Sequence, residues 1–147
     1  MSTVVRAITT ADLPQVERLD EAYASSRGLE RLVDAGAVSF YERTGHSFVL
    51  ARGGDGLDGF VLAQAVWNGR RPEVQLRRLV GSDDARLALL EAVVKSAYDS
   101  GVYDLLALLP EENGSLAGVL EEMQFGPRGM LVYERVLGSR GTSTGNP

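Results

Sequence analysis

The chain contains no cysteine, one histidine (His46) and one lysine (Lys95). Without cysteine there is no disulfide framework, no thiol nucleophile, no thiolate zinc site and no iron–sulfur cluster. A lone histidine argues against a histidine-rich metal centre or a histidine relay, so no metal is expected. No apolar run approaches the roughly 18 residues that mark a membrane span. The opening Met-Ser-Thr-Val-Val-Arg lacks the pattern of a signal peptide. The expectation is a cytoplasmic protein with no membrane partner. Acids outnumber bases, 20 to 15, for a net charge of −5. That balance leaves no footprint for non-specific nucleic-acid binding.

What is present is a chain of 147 residues, 44% hydrophobic. A single domain of this size buries about 70% of its unfolded surface, enough for a core without covalent staples. The domain is expected over residues 1–137. The small, polar residues 138–147 read as a flexible tail. Val4, Val5, Ala7 and Ile8 read as a strand. Leu13, Val16, Leu19 and Tyr23 then recur at helical spacing over 11–24, with Pro14 tolerated in the first turn. A second helix is expected over Leu29–Tyr41. His46–Arg52, Gly59–Trp67 and Glu73–Val80 read as three antiparallel strands. Asn68-Gly69 is a hairpin turn between the last two, because both residues accept positive φ. Gly59–Trp67 is apolar enough to be buried on both faces, and Trp67 reads as core, with the lining of a substrate pocket by Trp67 and Asn68 as the alternative.

Asp83–Ser100 is the best-defined helix. Leu87, Leu90, Val94, Ala97 and Tyr98 form its apolar stripe, and Gly101 ends it. Val102–Leu109 reads as a strand, parallel to its predecessor because a helix crosses between them. Asn113 caps a helix carrying Leu116, Val119, Leu120 and Met123. Met130–Leu137 reads as a last strand, whose apolar edge suits a homodimer. The fold class is therefore α/β, a central mixed β-sheet flanked by helices on both faces.

This order of elements, with several residues in register, resembles the GCN5-related N-acetyltransferase (GNAT) superfamily over residues 3–137. VVRAITTADLPQVERL is similar to the usual opening of these proteins. The family's second half carries Arg-Gly-x-Gly-x-Gly, then Leu-Leu, Ala and Gly at fixed spacing, and Leu89-Leu90, Ala97 and Gly101 match it. Asn113 and Phe125 match the next block. RTGHSF, AQAVW, VVKSAYDSGVY and VLGSRG resemble a small bacterial branch of the superfamily that brings no known substrate with it. The resemblance implies acetyl-CoA or another acyl-CoA as acyl donor and a small-molecule or peptide amine as acceptor. The donor's arm would lie between the fourth and fifth strands, flanked by Leu79, Val80 and Leu109.

The same register shows departures. The family's diphosphate-loop arginine falls on Gly81, and its three glycines fall on Ser82, Asp84 and Arg86, so these residues and Asn113 stand where the coenzyme is implied to bind. Asp83 and Asp84 are ordinary residues for a helix start and would repel a diphosphate unless Arg77, Arg78 and Arg86 offset them. The family's acid, a tyrosine, falls on Leu120, so Tyr98, Tyr103 or Tyr133 would have to replace it, with Tyr133 as the candidate. All three also read as core or rim. The base that some members carry on the fourth strand falls on Glu73, which would need a raised pKa; from its place after Pro72 it reads as a solvated charge. His46 reads as a structural, hydrogen-bonded residue. Two functions remain: a divergent N-acyltransferase using direct amine attack, or a catalytically degenerate GNAT-fold module that binds a ligand or dimerises.

Overall fold

The computed structural model describes residues 3–54 and 56–138. Within them one sheet runs in sequence order: β1 (Thr3–Ala7), β2 (Phe48–Arg52), β3 (Leu57–Trp67), β4 (Pro72–Val80) and β5 (Leu105–Ala107). Each of the first four strands is antiparallel to its neighbour, and β5 lies parallel to β4. α1 (Leu13–Arg27) and α2 (Ala35–Thr44) separate β1 from β2; α3 (Asp83–Asp99) makes the crossover from β4 to β5, and α4 (Leu116–Glu122) follows β5. The fold class is the one the sequence implied.

β3 explains why helices cover both faces. Its successive residues alternate between two cores, as a pleated strand requires. Val61 and Ala63 pack with Leu89, Leu90 and Val93 of α3 and Val119 of α4. Phe60 and Leu62 pack with Val16 and Tyr23 of α1 and Val38 of α2. An uninterrupted apolar strand is what a two-sided burial demands. The join of β1 to α1 is set by Arg6, whose guanidinium donates two hydrogen bonds to Asp12, at 2.7 and 2.9 Å. Burial works against the charge of Asp12, but Arg6 and the Thr9 amide hold its carboxyl below the usual range.

Four expectations are corrected. The second helix starts at Ala35 rather than Leu29, because Asp34 caps it through the Ala37 amide. The Leu32 and Val33 amides bond Asp20 instead of entering a helix. The fifth strand is confined to Leu105–Ala107. Met130–Leu137 makes no ladder, and Met130, Leu131, Val132, Tyr133 and Leu137 are all 62–87% exposed. Trp67, expected in the core, is 68% exposed at the end of β3. Of the expected tail only Gly138 lies within the described residues. Among those residues no helix is long and apolar enough to cross a membrane, and no cluster of acidic or histidine side chains is placed to hold a metal ion.

Candidate functional site

β4 and β5 form a fork. They pair from Val74–Leu105 to Leu76–Ala107, and the Leu108 amide makes one more bond to the Leu76 carbonyl, at 2.9 Å. Beyond it β4 runs on to Val80 while the other chain segment departs toward α4. On its other edge β4 pairs Arg78 with Leu62 and Leu76 with Ala63, so Arg77 is an extra residue at the apex. Such a bulge leaves one residue outside the ladder and re-aims the backbone. A cleft of about 270 Å³ opens here, bounded by Arg77, Arg78, Leu108, Pro110 and the α1–α2 loop at 29–32.

The loop that walls the cleft is held by a buried ion pair. Asp20 occupies the buried stripe of α1, where an aliphatic residue would be usual, with none of its surface exposed. The Arg78 Nε lies 3.0 Å from its Oδ1. Its Oδ2 accepts from the Leu32 and Val33 amides at 2.6 and 3.0 Å, and Arg78 Nη2 donates to the Glu30 carbonyl. Asp20 Oδ1 and Arg78 Nε have no hydrogen-bond partner and meet only as an ion pair, so desolvating both charges is offset by that attraction and by the charge-assisted bonds to Leu32, Val33 and Glu30.

The open end of the fork is bridged by a carboxylate of the chain itself. Glu112 accepts from Arg86 Nη2 at 2.7 Å and Nη1 at 3.1 Å, and from the Tyr23 hydroxyl at 2.7 Å; the Arg27 Nε lies 3.5 Å away. The side chains of Arg86 and Glu112 are only 5% and 6% exposed. Burial opposes the charge on Glu112, yet Arg86 and Tyr23 together hold its carboxyl below the usual range. The Tyr23 hydroxyl is pushed up, by burial first and by Glu112 second. Arg86 also donates to the Leu79 carbonyl on β4 at 3.1 Å, while its Nε is buried without a hydrogen-bond partner.

The helix start beside this cluster differs from a glycine cradle. Ser82 caps α3 by accepting from the Ala85 amide, and the Asp83 carboxylate accepts from the Ser115 hydroxyl at 2.6 Å. Asp84 is exposed. Gly81 has φ +146°, and a Cβ there would lie 2.9 Å from that of Ala85, so this glycine serves the tight strand-to-helix turn. Bare amides do not wrap an anion at this point. Two arginines and a tyrosine do, and the anion they hold is the Glu112 carboxylate of the chain itself.

The sequence-implied residues are distributed unevenly around this geometry. Leu79 and Val80 are on the fork strand but buried toward opposite cores. Gly81, Ser82, Asp84 and Arg86 gather at the α3 start. Asn113 is exposed one residue past Glu112, and Ser115, not Asn113, precedes α4. Of the three arginines expected to offset the aspartates, Arg78 is committed to Asp20, Arg86 to Glu112, and Arg77 alone is exposed.

Glu73 is 4% exposed rather than solvated. Hydrogen bonds from Asn68 and Gln75 lower its pKa, the opposite of the shift a base at neutral pH needs. It also sits at the start of β4, across the paired stretch from the fork. Tyr133 is 87% exposed on the unpaired segment. Tyr98 and Tyr103 are exposed too and meet edge to face, with ring centroids 5.5 Å apart. The His46 Nδ1 is 2.8 Å from the Ser96 hydroxyl and burial lowers its pKa, a structural role as expected. Glu112, Arg27 and Tyr23 were missed. Their one sequence signal is an acidic pair directly after Pro110; nothing local connects it to α1 or α3.

The profile of the DUF1999 family, described as a protein of unknown function, matches residues 3–131. The crystal structure of TTHA1254 from Thermus thermophilus is 41% identical, covers 93% of this chain and 99% of that chain, and superposes with a TM-score of 0.77. A probable acetyltransferase at 15% identity covers 95% of this chain and 99% of its own, with a TM-score of 0.69. A ribosomal-protein-alanine N-acetyltransferase from Brucella melitensis, also at 15%, covers 92% and 100% with a TM-score of 0.67. The fold is that of the GNAT acetyltransferases. Among curated proteins none matches the chain.

Proposed function

We propose that this chain, which belongs to the DUF1999 family, is an N-acyltransferase that moves an acyl group from acyl-CoA to an amine. The observation that carries the reading is the fork: two parallel strands that stop pairing at a bulge, with an anion-holding cluster at the open end. An extended ligand arm entering a fork bonds main-chain groups as an added strand would, so a conventional side-chain signature is not required. A main-chain group left outside the β3–β4 ladder at Arg77 is suited to hydrogen-bond a polarised carbonyl.

Acyl-CoA supplies a thioester on which the amine forms a C–N bond as the C–S bond breaks, the amine proton passing finally to the released thiol. Direct transfer is consistent with a chain that has no cysteine to carry the acyl group. Arg86, Arg27 and Tyr23 would hold the anionic end once Glu112 swings out. Arg78, through Asp20 and Glu30, keeps the cleft wall in place.

Calorimetric titration with acetyl-CoA tests the reading. Saturable binding is expected, and Glu112→Gln, which removes the competing charge, should tighten it about tenfold, the worth of one charge-assisted hydrogen bond. No heat from either protein at millimolar ligand would overturn it. A second reading, binding without turnover, is favoured by Glu73, which lies at the paired end of β4 with its pKa lowered by Asn68 and Gln75. Release of free thiol in the presence of an amine panel separates the two.

A further inference from the structure

We infer that residues 130–137 of one copy of this chain complete the sheet of a second copy, lying along the free edge of its β5, and that the exchange is reciprocal in a two-fold dimer. β5 ends the sheet and is paired on one side only. An edge of this kind presents unpaired main-chain donors and acceptors and is a template for another strand. Beside it, between β5 and α4, runs a cavity of about 770 Å³, walled by Leu106, Leu108, Leu120, Met123 and Phe125.

The occupant is in the same chain. Met-Leu-Val-Tyr-Glu-Arg-Val-Leu is rich in strand-forming residues. It makes no ladder, and among the described residues it carries five large hydrophobic side chains that are exposed: Met130, Leu131, Val132, Tyr133 and Leu137. Met130 and Val132 line the chain's own groove. Farther along, Tyr133 and Leu137 are 87% and 65% exposed, although Val136 between them is half-buried. Gly126-Pro127-Arg128-Gly129 forms the link, and the fixed φ of proline directs the departure. A second copy offers the same groove and sends back the same segment. Exchange of one element between identical chains therefore satisfies two edges and covers two apolar segments with no new surface chemistry. Strand addition gives affinity through the main chain and specificity through alternate side chains.

Light scattering on the full chain is expected to give twice the 15.8 kDa chain mass. Leu131→Glu combined with Val132→Glu charges both faces of the segment outside the two cores, and should give the monomer mass with an unchanged circular dichroism spectrum. Because the chain has no cysteine, Leu106→Cys chains can be mixed with tagged chains carrying one cysteine at each position from 131 to 136 in turn. A disulfide between tagged and untagged chains at alternate positions is expected. A monomer mass for the unsubstituted chain overturns the proposal. So does a dimer that survives the double substitution, or a disulfide that forms only within one chain bearing both cysteines. None of these readouts involves acyl-CoA, so the dimer stands or falls separately from the catalytic reading.

Discussion

Glu112 shows what a single charge does in this molecule. A carboxylate with 6% of its side chain exposed stays ionised because two guanidinium contacts and a phenol surround it. Its folded pKa lies below its ordinary value, as do those of Asp12 and Glu73. Depressed carboxyls add stability that is fully present above their unfolded pKa values, near 4, and lost as pH falls through the folded ones. Urea midpoints measured from pH 7 to pH 3 should therefore hold steady until about pH 4 and then fall. Glu112→Gln should show a shallower acid loss, since one of the three contributors no longer titrates; an identical profile would mean that Glu112 is not held as described. Legibility at this scale follows sequence distance. Arg6 and Asp12 stand only six residues apart at the first strand-to-helix join. Arg86 and Glu112 are 26 apart and meet only because the fork folds one toward the other. The burial of Glu73 was illegible for a related reason: its partners Asn68 and Gln75 are near in sequence, but their amide orientation is a product of the hairpin.

At the scale of elements, periodicity and turn chemistry were reliable where a segment is long. β3, β4 and α3 fall within a residue or two of expectation, since each buries a full face against neighbours on both sides. The misplaced elements are short or lie at the margin. The chain at 29–34 has helical spacing, but two of its amides are taken by Asp20, and that bond outweighs weak propensity. The joint between β3 and the β4–α3 turn offers a sharp test. A Cβ at Gly59 would lie 2.4 Å from the Val80 carbonyl oxygen, a backbone atom with little room to move. Gly59→Ala should cost about 1–3 kcal/mol by overpacking, read as a lowered urea midpoint with the slope unchanged. A neutral result would show that β4 can part from β3 without penalty. The bulge at Arg77 has no sequence signature, because one extra residue in a ladder is visible only against the partner strand.

For the whole molecule, two cores share one sheet, so neither can unfold while the other keeps its wall, and a single cooperative transition follows. Coupling of folding to association through residues 130–137 adds a mass-action dependence: Tm should rise with protein concentration, and the Leu131→Glu, Val132→Glu chain should lose that dependence. A Tm that is flat across a hundredfold range of concentration would speak against association. The sequence by itself determined the mixed sheet, the antiparallel run of β2, β3 and β4, the parallel crossover to β5 and the two-sided burial of β3, because each follows from short-range alternation, helical spacing and the handedness of a crossover. It also determined what chemistry is absent, because absence is a matter of inventory. Only the tertiary structure decided where the fork opens, which arginines are already spent on buried carboxylates, and which apolar segment is left without a place in its own core. Those are outcomes of competition among distant groups for the same partners, and no local stretch of sequence encodes who wins.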